Sequence, residues 1–354
     1  MRILRIYTKL PPLMGGMEKH IYNLTKEQIK LGHFVSVYFN KGDKVTFRDT
    51  QVTKLSLEAT KPRAVGIFIF YILICCKLLV NKEKYNVVHI HGDWSSLVFS
   101  KIIQKLTRSK VLAFSIHDDI KDNYIYKLIF TILLKQVDVI FSTGFQTAEK
   151  IKSMTGKEII MQPSGINKIF FEPNTDQKSF LNLQIITVAN LLPKKNLDLI
   201  LDIAKELPDK QFIIVGDGKE REKLQNRIDS ENISNLKLLG YKNPKELKKL
   251  YSTSSVFMLT SFKEGTPTAI LEAMACGLPI VTSNAGGIEN IIKNDINGFV
   301  IDSMVKQKYI KILLKFDANL QNDIYTNNIK LANKFSWGNV SLNITSILSK
   351  EFDK

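Results

Sequence analysis

Short apolar runs alternate with helix-length amphipathic stretches from one end of this 354-residue chain to the other. "ILRIY" (3–7), "FVSVYF" (34–39), "VVHIH" (87–91), "VLAFSI" (111–116) and "VDVIFS" (137–142) read as strands, and a helix is predicted from about Met17 to Leu31, closed by Gly32. Apolar strands separated by helices belong to parallel sheets with crossover helices on their faces. The rhythm breaks at "PSGINKIFFEPNTDQKSFLNL" (163–183), rich in proline and polar residues, which reads as a linker. It then restarts with "QIITVAN" (184–190), "FIIVGDG" (212–218), "LKLLG" (236–240), "VFMLT" (256–260), "PIVTS" (279–283) and "GFVI" (298–301), and closes in helical segments from about Met304. A chain of this length is too long for one ordinary core and suits two domains. The expected fold is α/β: two Rossmann-like, doubly wound parallel-sheet domains facing a cleft. In such sheets ligands bind beyond the carboxyl ends of the strands.

Composition narrows the partners. The net charge of +16 is uneven: residues 1–180 hold 27 Lys and Arg against 15 Asp and Glu, residues 181–354 hold 23 against 19. A basic half attracts phosphorylated substrates, anionic lipid or nucleic acid. Basic residues are not interleaved with aromatics as single-strand binding requires, so nucleic acid is not expected. The three cysteines, Cys75, Cys76 and Cys276, form neither a disulfide framework nor a zinc spacing. With "MRILRIYTKLPP" reading as a first strand rather than a signal peptide, a cytoplasmic setting is expected. "AVGIFIFYILICC" (64–76) is uncharged and flanked by Lys61, Arg63 and Lys77. It falls short of the roughly 20 residues that span a bilayer. It reads as a buried helix of the α/β domain, against an interfacial segment resting on a membrane. "YIYKLIFTILLK" (124–135) repeats the basic, apolar character.

Chemistry concentrates at the strand ends. In "SFKEGTPTAILEAMACGLPIV" (261–281), Glu264 and Glu272 stand eight positions apart. Thr266 and Pro267 suit an N-cap and first helical residue, which places Glu264 in the loop beyond "VFMLT" and Glu272 on the helix. The helix-start amides, around Gly265 to Thr268, suit a phosphate, and the flanking carboxylates suit sugar hydroxyls. Gly15-Gly16 precedes a helix and allows close backbone approach. A rival reading takes His89, His91 and Asp93 of "VVHIHGDW", with His117, Asp118 and Asp119 of "SIHDD", as a metallohydrolase site. The chain's five histidines make that ligand set thin, and His89 reads as a core residue.

The 261–281 run resembles the E-x7-E signature of the retaining glycosyltransferases of the GT-B fold, family 4. The resemblance covers nearly the whole chain. "PPLMGGMEKHIYNLTKEQIKLGHFVSV" is similar to the family's first loop and helix, and "VANLLPKKN" to V-G-R-L-x-x-x-K-G. There Lys195 matches the lysine, Asn190 stands where the family has arginine and Asn196 where it has glycine. "FIIVGDGKEREKL" is similar to the V-G-x-G turn at Gly216, "LLGY" to the segment flanking the base at Tyr241, and "SNAGGIENI" to the G-G-x-x-E loop at Gly286, Gly287 and Glu289.

The resemblance implies an acceptor-side domain over 1–165, a linker over 166–183, a nucleotide-sugar domain over 184–335 and a closing helix, 336–354, that packs back on the first. It implies transfer of a hexosyl group, with retention, from a UDP- or GDP-sugar to a glycan or lipid-linked hydroxyl, in polysaccharide synthesis. The diphosphate needs no metal and the protein no cofactor. Lys195 holds the diphosphate, Glu264 the donor sugar, Glu272 the ribose, and His117 lies near the donor. His91, Asp93 and Asp118 fall on the acceptor side. The charge and apolar stretches of the basic N-terminal domain, rather than the resemblance, make an anionic membrane surface a further expected partner, on the cytoplasmic face. A non-catalytic nucleotide-sugar-binding partner of an active transferase is the alternative, since Asn190 carries no charge; epimerisation of a nucleotide sugar is more distant.

Overall fold

In the computed structural model of the protein the described residues are 1–11, 16–43, 51–55, 63–117, 120, 123–172, 183–316 and 318–354, with backbone alone for 63, 64 and 318–322. Gly15, Asp118 and Asp119 therefore lie outside the described residues. The chain divides into two compact units, Met1–Gly165 with Trp337–Lys354, and Ile166–Ser336.

In the first unit, β1 (Arg2–Ile6), α1 (Gly16–Lys30), β2 (Phe34–Phe39), β3 (Val52–Lys54), α2 (Arg63–Asn81), β4 (Val87–His91), α3 (Ser100–Thr107), β5 (Val111–Ile116), α4 (Tyr124–Lys135), β6 (Val139–Ser142), α5 (Phe145–Thr155) and β7 (Ile160–Met161) follow in order. The sheet runs β3-β2-β1-β4-β5-β6-β7, parallel throughout. β4 and β5 are buried along their whole length, as strands covered on both faces must be. β6 starts later than "VDVIFS" suggests: the Asp138 carboxylate accepts the Leu112 amide at 2.7 Å, so residue 138 belongs to the turn. The edge strands β3 and β7 went unread because three and two residues carry no period.

In the second unit, β8 (Gln184–Val188), α6 (Leu197–Glu206), β9 (Gln211–Val215), α7 (Arg221–Ser230), β10 (Leu236–Leu238), α8 (Pro244–Thr253), β11 (Val256–Leu259), α9 (Thr268–Ala275), β12 (Ile280–Ser283), β13 (Gly298–Ile301), α10 (Lys306–Leu313) and α11 (Ala318–Ala332) repeat the plan. The sheet order is β10-β9-β8-β11-β12-β13, again parallel. α8 shows how sequence sets a boundary: Asn243 and Glu246 form a capping box around Pro244 at the first helical position. The stretch read as a linker begins inside this unit. Ile166 and Phe170 are buried, and a 3-10 turn, Lys168–Phe171, packs on α8 and α9.

The last helix, α12 (Trp337–Phe352), belongs to the first unit. It lies on α1, where Gln28 Nε2 donates to Thr345 Oγ1 at 3.0 Å. α1 and α12 cover one face of the first sheet. α2, α3 and α4 cover the other, through Phe70, Tyr71, Ile74, Ile103, Phe130 and Leu134. The expectation of a buried helix over 64–76 is corrected: α2 buries Phe70, Tyr71, Ile74 and Leu78 and leaves Val65, Phe68, Ile72 and Leu79 outside, because the sheet covers only one side of a crossover helix. Among the described residues no helix is long and apolar enough to cross a membrane.

Candidate active site

Both sheets reverse their strand order between the first and fourth strands of the unit, the place where open α/β sheets receive ligands. In the second unit the flanking strands are β8 and β11. Lys195 closes a 3-10 turn, Pro193–Lys195, beyond β8. Asn196 follows with φ 49° and ψ 47°, a left-handed conformation that asparagine tolerates better than most side chains. The residue standing at the family's glycine thus keeps a glycine-like backbone. Beyond β11, Glu264 takes an ion pair from Lys195 and a hydrogen bond from Ser261 Oγ at 2.6 Å, both on Oε1. The two charged side chains are only 13% and 8% exposed.

The backbone holds this pair in place. Thr260 Oγ1 donates to the Asn196 carbonyl at 2.9 Å, and the Phe262 amide to the Lys194 carbonyl at 2.9 Å. Ser283 Oγ donates to the Ser261 carbonyl at 2.6 Å. Gly286, with φ +73°, packs so closely that a Cβ there would fall 2.5 Å from the carbonyl oxygens of both Glu264 and Gly265. The G-G loop therefore supports the carboxylate loop from beneath. At Gly216, φ +135°, a Cβ would lie 1.9 Å from the Ala189 carbonyl oxygen, so the β9 turn closes on the backbone that leads to Asn190. Asn190 is exposed. Tyr241, 64% exposed, stands beyond β10.

The entry to α9 differs from expectation. Pro267 takes the N-cap position with ψ 111°, and the helix begins at Thr268. With that extended ψ Pro267 is not the first helical residue, so Thr266 lies one residue outside the helix and is not the N-cap. The amides of Thr268 and Ala269 have no acceptor within the helix. Glu272, half-buried on α9, accepts from Tyr251 Oη at 3.5 Å. Burial, and then the Glu272 charge, push the Tyr251 hydroxyl well above its ordinary pKa, keeping it a donor.

In the first unit, histidines gather at the carboxyl ends of β4 and β5. His91 Nδ1 and His117 Nε2 face each other at 3.2 Å, and His20, from α1, meets the His117 ring edge-on at 4.8 Å. His20 Nδ1 also lies 2.9 Å from Ser164 Oγ. His89 packs beneath, 2.8 Å from Ser115 Oγ, as a core residue would. Burial holds His117 down to about 4. It holds His20, His89 and His91 well below the ordinary imidazole value, with smaller contributions from neighbouring histidines and from Arg5. Arg5 is wholly buried, and its guanidinium, lowered to about 9 by burial, donates to Thr25 and Gln28. The cluster is therefore a set of neutral imidazoles near a buried cation. His91 Nε2 and His89 Nδ1 have no protein partner.

Of the ligands proposed for a metallohydrolase, His91 and His117 come together, Asp93 does not join them, and Asp118 and Asp119 lie outside the described residues. Asp93 caps the 3-10 turn Trp94–Leu97, accepting from the Ser95 amide at 3.0 Å and from its hydroxyl. Among the described residues the group able to share an ion is His20, His91 and His117, with nitrogens within 4.8 Å of one another. Tetrahedral zinc asks for about 3.3 Å between ligand nitrogens, so the group would have to contract. Sequence reasoning missed Ser261, His20 and Arg5. The signals were a polar residue in the inward stripe of α1, beside Ile21 and Leu24, and a cation inside "ILRIY".

Two family models match the chain in tandem: Glycosyltransferase Family 4 over residues 14–168 and Glycosyl transferases group 1 over residues 167–330. The chain belongs to the family 4 glycosyltransferases, and its two Rossmann-like units are those of the GT-B fold. A human phosphatidylinositol N-acetylglucosaminyltransferase component is 26% identical over 305 residues, 80% of this chain and 62% of that protein. The chain thus spans less than two thirds of that relative's length. An Escherichia coli UDP-Gal:alpha-D-GlcNAc-diphosphoundecaprenol alpha-1,3-galactosyltransferase is 27% identical over 75% of each chain. The crystal structure of Anabaena HepE with UDP superposes with a TM-score of 0.78 at 19% identity, covering 99% of this chain and 100% of that one, a likeness of fold.

Proposed function

We propose that this protein transfers a hexosyl group from a nucleoside diphosphate sugar, a UDP- or GDP-sugar, to a hydroxyl of a glycan or lipid-linked acceptor, with retention at the anomeric carbon. The observation that carries the reading is the Lys195–Glu264–Ser261 cluster at the strand reversal of the second unit. A lysine that shares its charge with one carboxylate oxygen, beside unpaired amides of a helix start, suits a diphosphate. The names of two relatives, one acting on a UDP-sugar and a diphosphoundecaprenol-linked sugar and one crystallised with UDP, support the donor and acceptor classes.

In the proposed step the bond from the anomeric carbon to the diphosphate oxygen breaks and its electron pair stays on the diphosphate. Lys195 and the Thr268 and Ala269 amides stabilise that charge without a metal. The acceptor oxygen bonds to the anomeric carbon from the leaving-group face, and its proton passes to the departing diphosphate. Glu264 turns from Lys195 to donor-sugar hydroxyls, and Glu272, with Gly265 to Thr268 nearby, takes the ribose side. Tyr241 flanks the base, and Gly16, Asn190 and Gly216 border the donor. His117 stands near the donor sugar, and His91 with Asp93 on the acceptor side. The protein works on the cytoplasmic side of a membrane.

Thermal shift with UDP, GDP, ADP, TDP and CMP, each in excess chelator, tests this. A ligand at a hundred times its dissociation constant adds about 2.7 kcal/mol. One nucleoside diphosphate should stabilise the protein, and Lys195→Ala and Glu272→Ala should lose the shift. If no nucleotide acts until zinc or manganese is present, the reading fails and hydrolysis at His20, His91 and His117 takes its place.

A further inference from the structure

Helices α2 and α4 are apolar on both sides. On α4, Phe130 and Leu134 face the sheet, while Ile125, Leu128, Ile129 and Ile132 face outward at helical spacing, Ile125 65% and Ile132 54% exposed. On α2, Val65, Phe68, Ile72 and Leu79 form a second outward stripe, with Phe68 51% exposed. Both helices pack on the Trp94–Leu97 turn and lie on the same face of the sheet as α3, where Val98 and Ile102 are also exposed. A helix that is apolar all round is ordinarily covered on all sides. Here the described residues cover one. A patch of this extent marks an interaction surface.

Charge selects the occupant. α2, α3 and α4 carry Arg63, Lys77, Lys101, Lys105, Lys127 and Lys135 and not one carboxylate. A second copy of this face would set cations against cations. An anionic bilayer satisfies both the aliphatic stripes and the lysines around them.

Topology then places the surface. α4 leaves the carboxyl end of β5 and runs back against it, and α2 runs back into β4, so the first turns of both helices lie at the carboxyl ends of the strands. Tyr124, 80% exposed, and Ile125 stand at the edge that also carries His91 and His117. We propose that the outward faces of α2 and α4 dock this unit on an anionic lipid surface, with that histidine edge reaching toward the headgroups. The inference rests on the proposed function for its purpose alone; the docking itself requires no donor.

The test is flotation of the whole protein with vesicles of phosphatidylcholine alone or with phosphatidylglycerol, over a range of salt. The wild type should float with the anionic vesicles at low salt and be released as salt rises. Ile125→Ser with Leu128→Ser and Ile132→Ser should lower partitioning roughly tenfold or more. Lys127→Gln with Lys135→Gln should lower it about fivefold per lysine. All these positions are outside the core, and an unchanged melting temperature and an unchanged response to nucleotide certify each variant. Wild type that stays in solution with anionic vesicles overturns the proposal. So does a triple serine variant that floats like wild type, or sedimentation showing a dimer that this variant abolishes. A nucleotide response without flotation sinks the docking and spares the transferase; flotation without a nucleotide response does the reverse.

Discussion

The two units share one strand order but spend their unusual residues differently. The second unit has near-balanced charge and scattered exposed apolar residues, such as Tyr241, Phe262 and Ile296, and its polar chemistry is concentrated where β8 and β11 end. The first carries most of the positive charge, two apolar outward stripes and four buried or half-buried histidines around a buried arginine. The same fold thus serves two tasks. In one unit a loop pair is pinned to hold a charged group. In the other, cations and aliphatic surface cover the outside while the histidines at the ends of β4 and β5 stay neutral.

The largest expected effect separates them. Lys195→Ala should lower turnover by roughly 10²–10³-fold, the scale of losing one group aimed at developing charge. It should leave vesicle flotation intact, so a variant that loses both would break the division of labour. Next comes acid. His117 is held at about 4, below its ordinary value of 6.5, so stability is fully present above pH 6.5 and is lost as pH falls toward 4. The depression amounts to on the order of 3 kcal/mol. The first unit should therefore lose melting temperature more steeply than the second as pH falls from 6.5 to 4 in calorimetry, and His117→Gln should lessen that dependence, with His20, His89 and His91 carrying the rest. An equally acid-sensitive second unit would contradict it.

Smaller effects sharpen the picture of the donor side. Gly286→Ala forces a Cβ against two carbonyl oxygens at a left-handed position, and should cost about 1–3 kcal/mol in denaturant titration, weakening nucleotide binding through Glu264. Asn190→Arg, which restores the family's charge at an exposed position, should tighten nucleoside diphosphate binding several-fold by calorimetry, on the order of one charge-assisted hydrogen bond. No change would place residue 190 away from the diphosphate.

The strand–helix alternation determined the α/β class and most strands, because short, mostly apolar runs bounded by turn residues are set apart by length from the helical segments between them. The dense run around Glu264 and Glu272 determined the family. What spacing could not decide was which groups meet. Lys195 reaches Glu264 across 69 residues because β8 and β11 are neighbours in the sheet, a fact of topology rather than of local sequence. His20 joins His91 and His117 for the same reason, while Asp93, nearer in sequence, turns away to cap its own backbone. The entry to α9 turned on the backbone of one proline. The greasy stretch over 64–76 was legible as a helix, but a hydropathy pattern records what a residue prefers, not which side the sheet will cover. Only the packed structure decided which apolar side chains found a core and which were left outside.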